Sequence, residues 1–399
     1  MRYVIVGGGV AGIHCIEGIR SLDREGEIVL ISEEERSNYG RPLISYYLEG
    51  ATDLAHISYR GEDFYARNDV RALHSVRAER LDPHKKQLTL SDGQRLSYDK
   101  LCVCTGASPF VPDFEGLESV ENKFTFMTLG DARALEQAVS PESRVLIVGA
   151  GLIGLKAAEG LYGRVKDVTV CDLAPHVLSS VLRPESAALV ENHLRSKGIR
   201  LLMGDSVRQF NGHSAILNSG LTVEFEVLVL AVGVRSNATL IREAGGQAER
   251  GILTDRQLAT SLPDVYAAGD CVGPYLILPQ AARQGRCAGI NMAGGDAVTE
   301  QGIPMNSLGL LGMHVMSAGS YEGEEITEKT ETGLRQFFVK DGLLVGFILV
   351  GGVERAGVYT SLIREKRPID SFDFAAVRRT PSLLALGKET RVQKLGGAV

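Results

Sequence analysis

A glycine triplet near the start of the chain has the spacing of a phosphate-binding turn. An apolar run leads directly into Gly7, and Gly9 and Gly12 follow it. At these positions the missing Cβ permits a tight turn, close approach to a pyrophosphate and close packing of the next helix. The N-terminus of that helix attracts phosphates through its unpaired N–H groups. A second apolar run leads to Glu33, whose carboxylate is placed to bind a ribose; Glu34 and Glu35 remain alternatives.

The same pattern recurs in the middle of the chain. An apolar run is followed by a turn with three glycines, Gly149, Gly151 and Gly154. A further apolar run ends at Asp172, where a carboxylate would again meet a ribose. One such triplet is a weak signal, because glycine turns with a purely structural role are common. Two complete strand–turn–helix–strand–acid units predict two Rossmann-type folds and two bound dinucleotides.

Length, charge and hydropathy restrict the class of protein. A chain of 399 residues is too long for one ordinary core and predicts two or three domains. The formal net charge of −6 argues against a nucleic-acid partner. The first residues include neither a basic segment nor a long apolar one, and no apolar stretch reaches the length of a membrane span. We therefore expect no membrane contact and a cytoplasmic location.

The six cysteines follow no disulfide or metal-binding pattern. They are spread along the chain without a Cys-x-x-Cys pair, at Cys15, Cys102, Cys104, Cys171, Cys271 and Cys287. Cys102 and Cys104 alternate on one face of an apolar run and have no further ligands nearby. We expect all six to be small buried residues in a reducing compartment, and we predict no metal site.

Three further segments resemble motifs of one family. The run ending in Thr105-Gly106 resembles the strand and turn that lead back to a first nucleotide domain. The run ending in Gly269-Asp270 resembles a second FAD fingerprint, although a helix N-cap is a plainer role for Asp270. The run through Gln280 resembles a helix that faces the flavin ring. Over nearly its whole length the chain is similar to FAD-dependent pyridine nucleotide–disulfide oxidoreductases, most of all NADH:rubredoxin reductases and the N-terminal part of nitrite reductase large subunits.

The resemblance implies an α/β chain with two Rossmann-like dinucleotide-binding domains, as in glutathione reductase, and a small C-terminal α+β domain. The FAD-binding domain would comprise residues 1–115 and 245–300, and the domain that binds NADH or NADPH would comprise residues 116–244. Residues 301–399 would form the C-terminal domain, with an antiparallel sheet and a basic tail. By correspondence with the family, the cofactor-binding residues are Gly7, Gly9, Gly12, Glu33, Arg41, Thr105, Gly106, Gly149, Gly151, Gly154, Asp172, Gly233, Gly269, Asp270 and Gln280.

One departure from the family pattern bears on the reaction. Disulfide reductases and thiol-dependent NADH oxidases have a cysteine beside the flavin, and Pro42 stands at that position here, so it offers no thiolate nucleophile. The segment around Arg41 and Pro42 resembles instead reductases that pass electrons from flavin directly to a protein. We therefore predict an FAD-dependent NAD(P)H oxidoreductase that reduces a rubredoxin or ferredoxin. The alternatives are an NADH oxidase or nitrite reductase component and, in another class, a redox-dependent binding or signalling flavoprotein.

A second departure concerns a lysine–glutamate pair that many relatives place beside the flavin. The glutamate position is Lys156 here, and the lysine position is Tyr46. Lys156 alone would favour reduced, anionic flavin. An ordinary solvated helix lysine is an equal alternative. Together with Arg41 and Pro42, these two residues are the catalytic candidates.

Two further expectations concern the nucleotide and the partner. Asp172 favours NADH over NADPH, because a carboxylate repels a 2′-phosphate and no arginine follows closely. Residues 364–399 include eight Lys and Arg against four Asp and Glu, an excess that would steer an acidic protein acceptor. A solvated tail is the plainer alternative. Either a monomer or a homodimer fits the sequence.

Overall fold

The first part of the chain forms a parallel sheet and a small antiparallel one. The computed structural model describes residues 1–273, 276–300 and 302–382. The apolar runs predicted as strands are buried, and β1 pairs in parallel with β2 and β7. The elements are β1 (Arg2–Val6), α1 (Val10–Arg20), β2 (Glu27–Ile31), α2 (Ile44–Glu49), α3 (Phe64–Arg67), β3 (Val70–Leu73), β4 (Ala78–Asp82), β5 (Gln87–Leu90), β6 (Arg95–Ser97), β7 (Lys100–Val103) and β8 (Ala107–Pro109).

The second part repeats this design. Its parallel sheet has the strand order β12-β11-β10-β16-β9, and Val148 pairs with Cys171 as Val6 pairs with Ile31 in the first sheet. Both glycine turns therefore leave their sheets at equivalent positions. The elements are β9 (Lys123–Phe124), α4 (Leu129–Ala138), β10 (Arg144–Val148), α5 (Leu152–Leu161), β11 (Asp167–Asp172), α6 (Pro184–Ser196), β12 (Arg200–Met203), β13 (Val207–Asn211), β14 (Ser214–Leu217), β15 (Thr222–Glu224), β16 (Val227–Leu230), β17 (Val234–Ser236) and α7 (Thr239–Glu243).

The chain then returns to the first domain. The strand β18 (Val265–Ala267) joins β7, which gives the order β18-β7-β1-β2-β3, and α8 (Leu278–Met292) packs on α1. This packing is close because a methyl group on Gly285 would lie 2.1 Å from the carbonyl oxygen of Ala11. Leu240 and Ile241 belong to the same hydrophobic core as Val4. The return therefore begins a few residues before the predicted boundary at residue 245.

The C-terminal domain is an antiparallel sheet of order β19-β20-β23-β22-β21 with helices on one face. Alternation along β22 directs Phe338 toward the second nucleotide domain, while Phe337 packs on Tyr359 of α9. The predicted antiparallel sheet is thus confirmed, and residues 383–399 of the predicted tail lie outside the described residues. The elements are β19 (Met305–Leu310), β20 (Met313–Gly319), β21 (Glu324–Thr330), β22 (Gly333–Lys340), β23 (Leu343–Val350), α9 (Gly357–Glu365) and α10 (Phe374–Arg379).

Candidate functional site

A cavity of about 400 Å³ opens at the carboxyl ends of β1, β2 and β7, where open parallel sheets bind their ligands. The predicted residues that line it are Gly7, Gly9, Glu33, Arg41, Thr105, Gly106, Gly269 and Asp270. Sequence reasoning did not assign a role to several others in its wall, among them Arg77, Met127, Asn237 and Leu278. Arg77 and Met127 lie in segments without a recognisable motif. Asn237 directly follows β17, the strand that pairs with β8 between the two nucleotide domains, and only this pairing identifies it.

The first glycine turn needs its glycines for three different physical reasons. Gly7 has a φ of +114°, and a methyl group there would lie 2.1 Å from the carbonyl oxygen of Cys104. On Gly12, the same group would lie 2.0 Å from the carbonyl oxygen of Gly7. Gly9 has open space within 4 Å, and within the described chain no side chain caps α1 after it. The N-terminal N–H groups of α1 therefore remain available to a phosphate.

The structure distinguishes between the neighbouring glutamates. Arg41 Nη2 donates a 2.5 Å hydrogen bond to Glu34, and the Tyr39 hydroxyl donates to the same carboxylate at 2.5 Å. Glu33 is exposed, lines the cavity and forms neither a hydrogen bond nor an ion pair with the described residues. Glu33 is therefore the carboxylate that is free to accept hydrogen bonds from a ribose, whereas Glu34 holds Arg41.

Asp270 presents a carboxylate to the cavity without a hydrogen-bond partner among the described residues. Burial raises its pKa from the ordinary value, and the nearby Arg41 guanidinium acts in the opposite direction. The N-cap interpretation of Asp270 is wrong, because the next helix, α8, begins at Leu278 and has Ile277 at its N-cap. A half-buried acceptor without a donor fits the hydroxyl groups of a bound dinucleotide.

The two crossings between the nucleotide domains lie side by side. β8 and β17 pair in an antiparallel ribbon. Beyond it, the Thr105 hydroxyl donates to the carbonyl oxygen of Asn237 at 2.9 Å, and the Asn237 side chain donates to the carbonyl oxygen of Thr105 at 2.8 Å. The backbone N–H of Asn237 also donates to Gly106. These reciprocal hydrogen bonds fix the cavity wall at the point where the chain changes domain.

The second glycine turn is built in the same way. Gly149 has a φ of +115°, and a methyl group on Gly154 would lie 1.9 Å from the carbonyl oxygen of Gly149. Gly151 again faces open space, at the N-cap of α5. Asp172 ends β11 beside this turn, and Gly233, with a φ of +129°, follows β16 on the other side of β10. The predicted residues of the second site thus meet at one edge of the second sheet.

Tyr46 and Lys156 lie together where the three domains meet. Lys156 Nζ is 4.3 Å from the Tyr46 ring centre and donates to the carbonyl oxygen of Gly309 at 3.3 Å. Lys156 also forms an ion pair with Glu159, whose Oε1 accepts from the backbone N–H of Leu311 at 2.7 Å. Only 16% of the Lys156 side chain is exposed, so it is not a solvated helix lysine. Neither Tyr46 nor Lys156 is among the described cavity-lining residues, and their role beside the flavin stays a prediction.

Two other candidates border the cavity without lining it in the described chain. Pro42 is exposed, in the 3-10 helix Arg41–Leu43 that leads into α2. Gln280 is buried in α8, where its Oε1 accepts from Arg283 at 3.1 Å and from the backbone N–H of Gly302 at 3.3 Å. Gln280 therefore holds the N-terminal turn of α8 and the segment that leads to the C-terminal domain.

The cysteines are buried, as predicted, and all six are free thiols. Cys104 reaches the cavity wall and has its Sγ 3.5 Å from that of Cys102. The hydrogen-bonding contact with Cys102 and burial together raise the pKa of Cys104 well above its ordinary value. Because the thiolate is the nucleophilic form, this thiol is poorly suited to covalent redox chemistry at neutral pH.

The fold and its two glycine-turn sites define a flavoprotein that binds two dinucleotides. Comparison with known families agrees: the model of the pyridine nucleotide-disulphide oxidoreductases matches residues 1–285, and that of the rubredoxin NAD+ reductase C-terminal domain matches residues 304–367. The chain belongs to the pyridine nucleotide-disulphide oxidoreductase family. It is an oxidoreductase with FAD and a pyridine nucleotide as its cofactors, and the cavity around Asp270 fits the FAD.

Relatives of known function cover different shares of the chain. The epsilon subunit of an NADH-dependent phenylglyoxylate dehydrogenase from Aromatoleum evansii is 30% identical over 98% of this chain and 97% of its own length. A rubredoxin-NAD(+) reductase from Pseudomonas putida is 30% identical over 68% of this chain and 72% of its own. The chain spans only 49% of an assimilatory nitrate reductase electron transfer subunit from Bacillus subtilis, to which it is 29% identical.

Solved structures support the same architecture. The ferredoxin reductase for the CYP199A2 system from Rhodopseudomonas palustris is 25% identical, with a TM-score of 0.82 over 99% of both chains. Putidaredoxin reductase in its covalent complex with putidaredoxin has a TM-score of 0.85 at 23% identity, over 92% of this chain and 94% of its own, which shows the shared fold.

Two further observations concern metals and membranes. Across the part of the chain that the structure describes, no three His, Cys, Asp or Glu side chains are grouped so that they could hold a metal ion. Over the same residues, no helix combines the length and apolar character needed to cross a bilayer.

Proposed function

We propose that this chain takes electrons from NADH and passes them through FAD directly to a small electron-transfer protein of the rubredoxin or ferredoxin type. The observation that carries the proposal is that Pro42, next to the cavity-lining Arg41, stands where the family has its redox cysteine, while the Cys104 thiol in the cavity wall has a pKa raised well above its ordinary value. Two relatives support it by name, the rubredoxin-NAD(+) reductase and the ferredoxin reductase. Residues 304–367, which match a domain of rubredoxin reductases, support it as well.

Each site residue has a proposed task. When bound, FAD supplies the conversion between hydride transfer and single-electron transfer. The first glycine turn and α1 hold its pyrophosphate, while Glu33 and Asp270 accept hydrogen bonds from its hydroxyl groups. The second glycine turn and Asp172 hold NADH. We further propose that residues 1–115 and 245–300 form the FAD domain, residues 116–244 the NADH domain and residues 301–399 the C-terminal domain. The chain returns to the FAD domain a few residues before residue 245, where Leu240 and Ile241 join its core.

The setting of the protein belongs to the proposal too. Six free cysteines fit a reducing compartment, and we propose a cytoplasmic location. The chain would act as a monomer or a homodimer.

The test is rapid mixing of the NADH-reduced protein with rubredoxin, ferredoxin, oxygen and nitrite in parallel, while flavin reoxidation is followed. Fast reoxidation by rubredoxin or ferredoxin alone is the expected result. Faster reoxidation by oxygen or nitrite would assign the chain to the NADH oxidase or nitrite reductase alternative. Slow reoxidation by all four, with a long-lived complex of reduced flavin and NAD, would indicate the signalling class.

A further inference from the structure

A polar cluster lies directly beneath the first glycine turn. Ser37 is buried, and its Oγ is 2.5 Å from the hydroxyl oxygen of Tyr65 and 2.9 Å from Nε2 of His74. Tyr65 belongs to α3, and His74 directly follows β3. Ser37, Tyr65 and His74 form what we call the Ser37 cluster. None of the three is among the described residues that line the cavity.

The Ser37 cluster touches the middle of the glycine turn. A methyl group on Gly8 would lie 2.4 Å from Cβ of Ser37, so the turn rests on this side chain. The next residue, Asn38, has a φ of +61° and donates from its backbone N–H to the carbonyl oxygen of Gly8 at 3.2 Å. The position of the Gly8 peptide therefore depends on where residues 37 and 38 are held.

The second nucleotide domain provides an internal comparison. There Leu178, with a φ of +52°, donates to the carbonyl oxygen of Ala150 at 2.9 Å, as Asn38 does to Gly8. The residue before it is Val177, which is fully buried. Val177 and Ala150 in the second nucleotide domain thus correspond to Ser37 and Gly8 in the first. The apolar version shows that this fold can support a glycine turn without the polar cluster.

We infer that the Ser37 cluster is a positioning device for FAD: it holds the Gly8 peptide at the pyrophosphate site by fixing Ser37 to α3 and to the end of β3. Burial lowers the pKa of His74, so its imidazole is neutral at neutral pH and has a ring nitrogen able to accept a hydrogen bond. Burial raises the pKa of Tyr65 to about 12, so its hydroxyl keeps its proton. The inference rests on FAD binding by the family fold and is independent of the acceptor.

The experiment is titration of the apo-protein with FAD, in variants that remove one partner each. Tyr65→Phe and His74→Leu should raise the FAD dissociation constant about fivefold, because each removes one hydrogen bond of ordinary strength. His74→Gln keeps a side chain that can hydrogen-bond and should restore tight binding. Tyr98→Phe is the matched control, since the buried Tyr98 hydroxyl has no hydrogen-bond partner in the described chain. It should leave the dissociation constant unchanged.

A second readout separates positioning from general destabilisation. At saturating FAD, the KM for NADH should equal the wild-type value, and Tyr65→Phe should lower the unfolding temperature of the apo-protein by no more than the few degrees that follow from the loss of one hydrogen bond. Wild-type FAD affinity in both Tyr65→Phe and His74→Leu would overturn the inference. So would FAD binding by His74→Gln that is as weak as that by His74→Leu. The proposed acceptor plays no part in any of these measurements.

Discussion

Oδ2 of Asp172 accepts a 2.6 Å hydrogen bond from the backbone N–H of Ala150, the middle residue of the second glycine turn. Its Oδ1 accepts from the backbone N–H of Ala174 at 2.8 Å. The carboxylate therefore anchors the turn that would hold the NADH pyrophosphate, besides its predicted role at the ribose. A carboxylate in this place repels a 2′-phosphate, and replacing it also disturbs the turn.

Substitution of Leu173, the residue after Asp172, should change the preference for NADH over NADPH without disturbing the glycine turn. Leu173 follows Asp172 and is 71% exposed, so an arginine fits there without repacking. We expect the wild type to prefer NADH, and Leu173→Arg to raise kcat/KM for NADPH by about tenfold, the effect of roughly 1.4 kcal/mol from one charge-assisted contact. Asp172→Ala should weaken both nucleotides, NADH more than NADPH. Steady-state kinetics with each nucleotide checks this, and equal use of NADPH by the wild type would contradict it.

Asp270 should stabilise bound FAD at the expense of the apo-protein. Asp270→Asn should weaken FAD binding by about 1.5–3 kcal/mol, through loss of a hydrogen bond to a charged acceptor. Because burial raises the folded-state pKa of Asp270, its contribution to apo-protein stability is present below the ordinary carboxyl pKa and is lost as pH rises through the raised value. In Asp270→Asn, the stability of the apo-protein should not show this decrease as pH rises. FAD titration and denaturant unfolding of both apo-proteins at pH 4 and pH 7 measure the two effects.

Turnover should be insensitive to thiol reagents. All six cysteines are buried, and burial or contact with another thiol raises the pKa of Cys102 and Cys104 well above the ordinary value. Alkylating reagents and, after prereduction, arsenite should therefore leave the NADH-dependent rate unchanged. Mass spectrometry of the treated native protein should find no labelled cysteine, with the unfolded protein as a positive control. Loss of activity in proportion to the labelling of one cysteine would contradict direct transfer from flavin.

The ion pair at the domain junction should be important for stability. Lys156 and Glu159 have 16% and 7% of their side chains exposed, so Glu159→Gln leaves a buried ammonium without its counter-charge, at a cost of about 3 kcal/mol. The double variant with Lys156→Met should recover much of that loss. Asp63→Asn, which breaks the exposed pair with Arg67, should cost less than about 0.5 kcal/mol. Denaturant unfolding of the FAD-loaded proteins gives the values, and equal costs for the two pairs would contradict the prediction.

The predicted acceptor surface is smaller than the charge count suggested. Arg378 forms a 3.0 Å ion pair with Glu328 and is only 17% exposed, so it is part of the C-terminal domain and not a free docking charge. Arg379 is exposed. We expect Arg379→Gln to lower the rate with an acidic acceptor at low salt and to reduce its salt dependence, with Arg379→Lys as the charge-conserving control. Flavin reduction by NADH should not change. An acceptor rate that is independent of ionic strength in the intact protein would rule out this docking mode.

Local patterns were sufficient for much of the fold. The two glycine turns, the apolar runs before them and the acids after them all lie within about 35 residues of chain, so their geometry depends on short-range backbone sterics and strand pairing. The C-terminal sheet was predicted from the glycine-rich apolar segments around Phe337 and from Leu343 to Val350, which form parts of β22 and β23. The predicted boundary at residue 245 depends on packing that no local pattern shows, since Leu240 and Ile241 join a core that includes Val4 and Val6, more than 200 positions earlier in the chain.

The sequence by itself determined the two dinucleotide folds, their order and the absence of a cysteine at position 42. Only the tertiary structure decided which carboxylate is free, because Glu33 and Glu34 differ in whether Arg41 and Tyr39 reach them. It also decided that Lys156 is paired with Glu159 and that His74 supports Ser37 beneath Gly8. These contacts join side chains from separate elements, and their distances depend on how those elements pack, a quantity that no local pattern encodes.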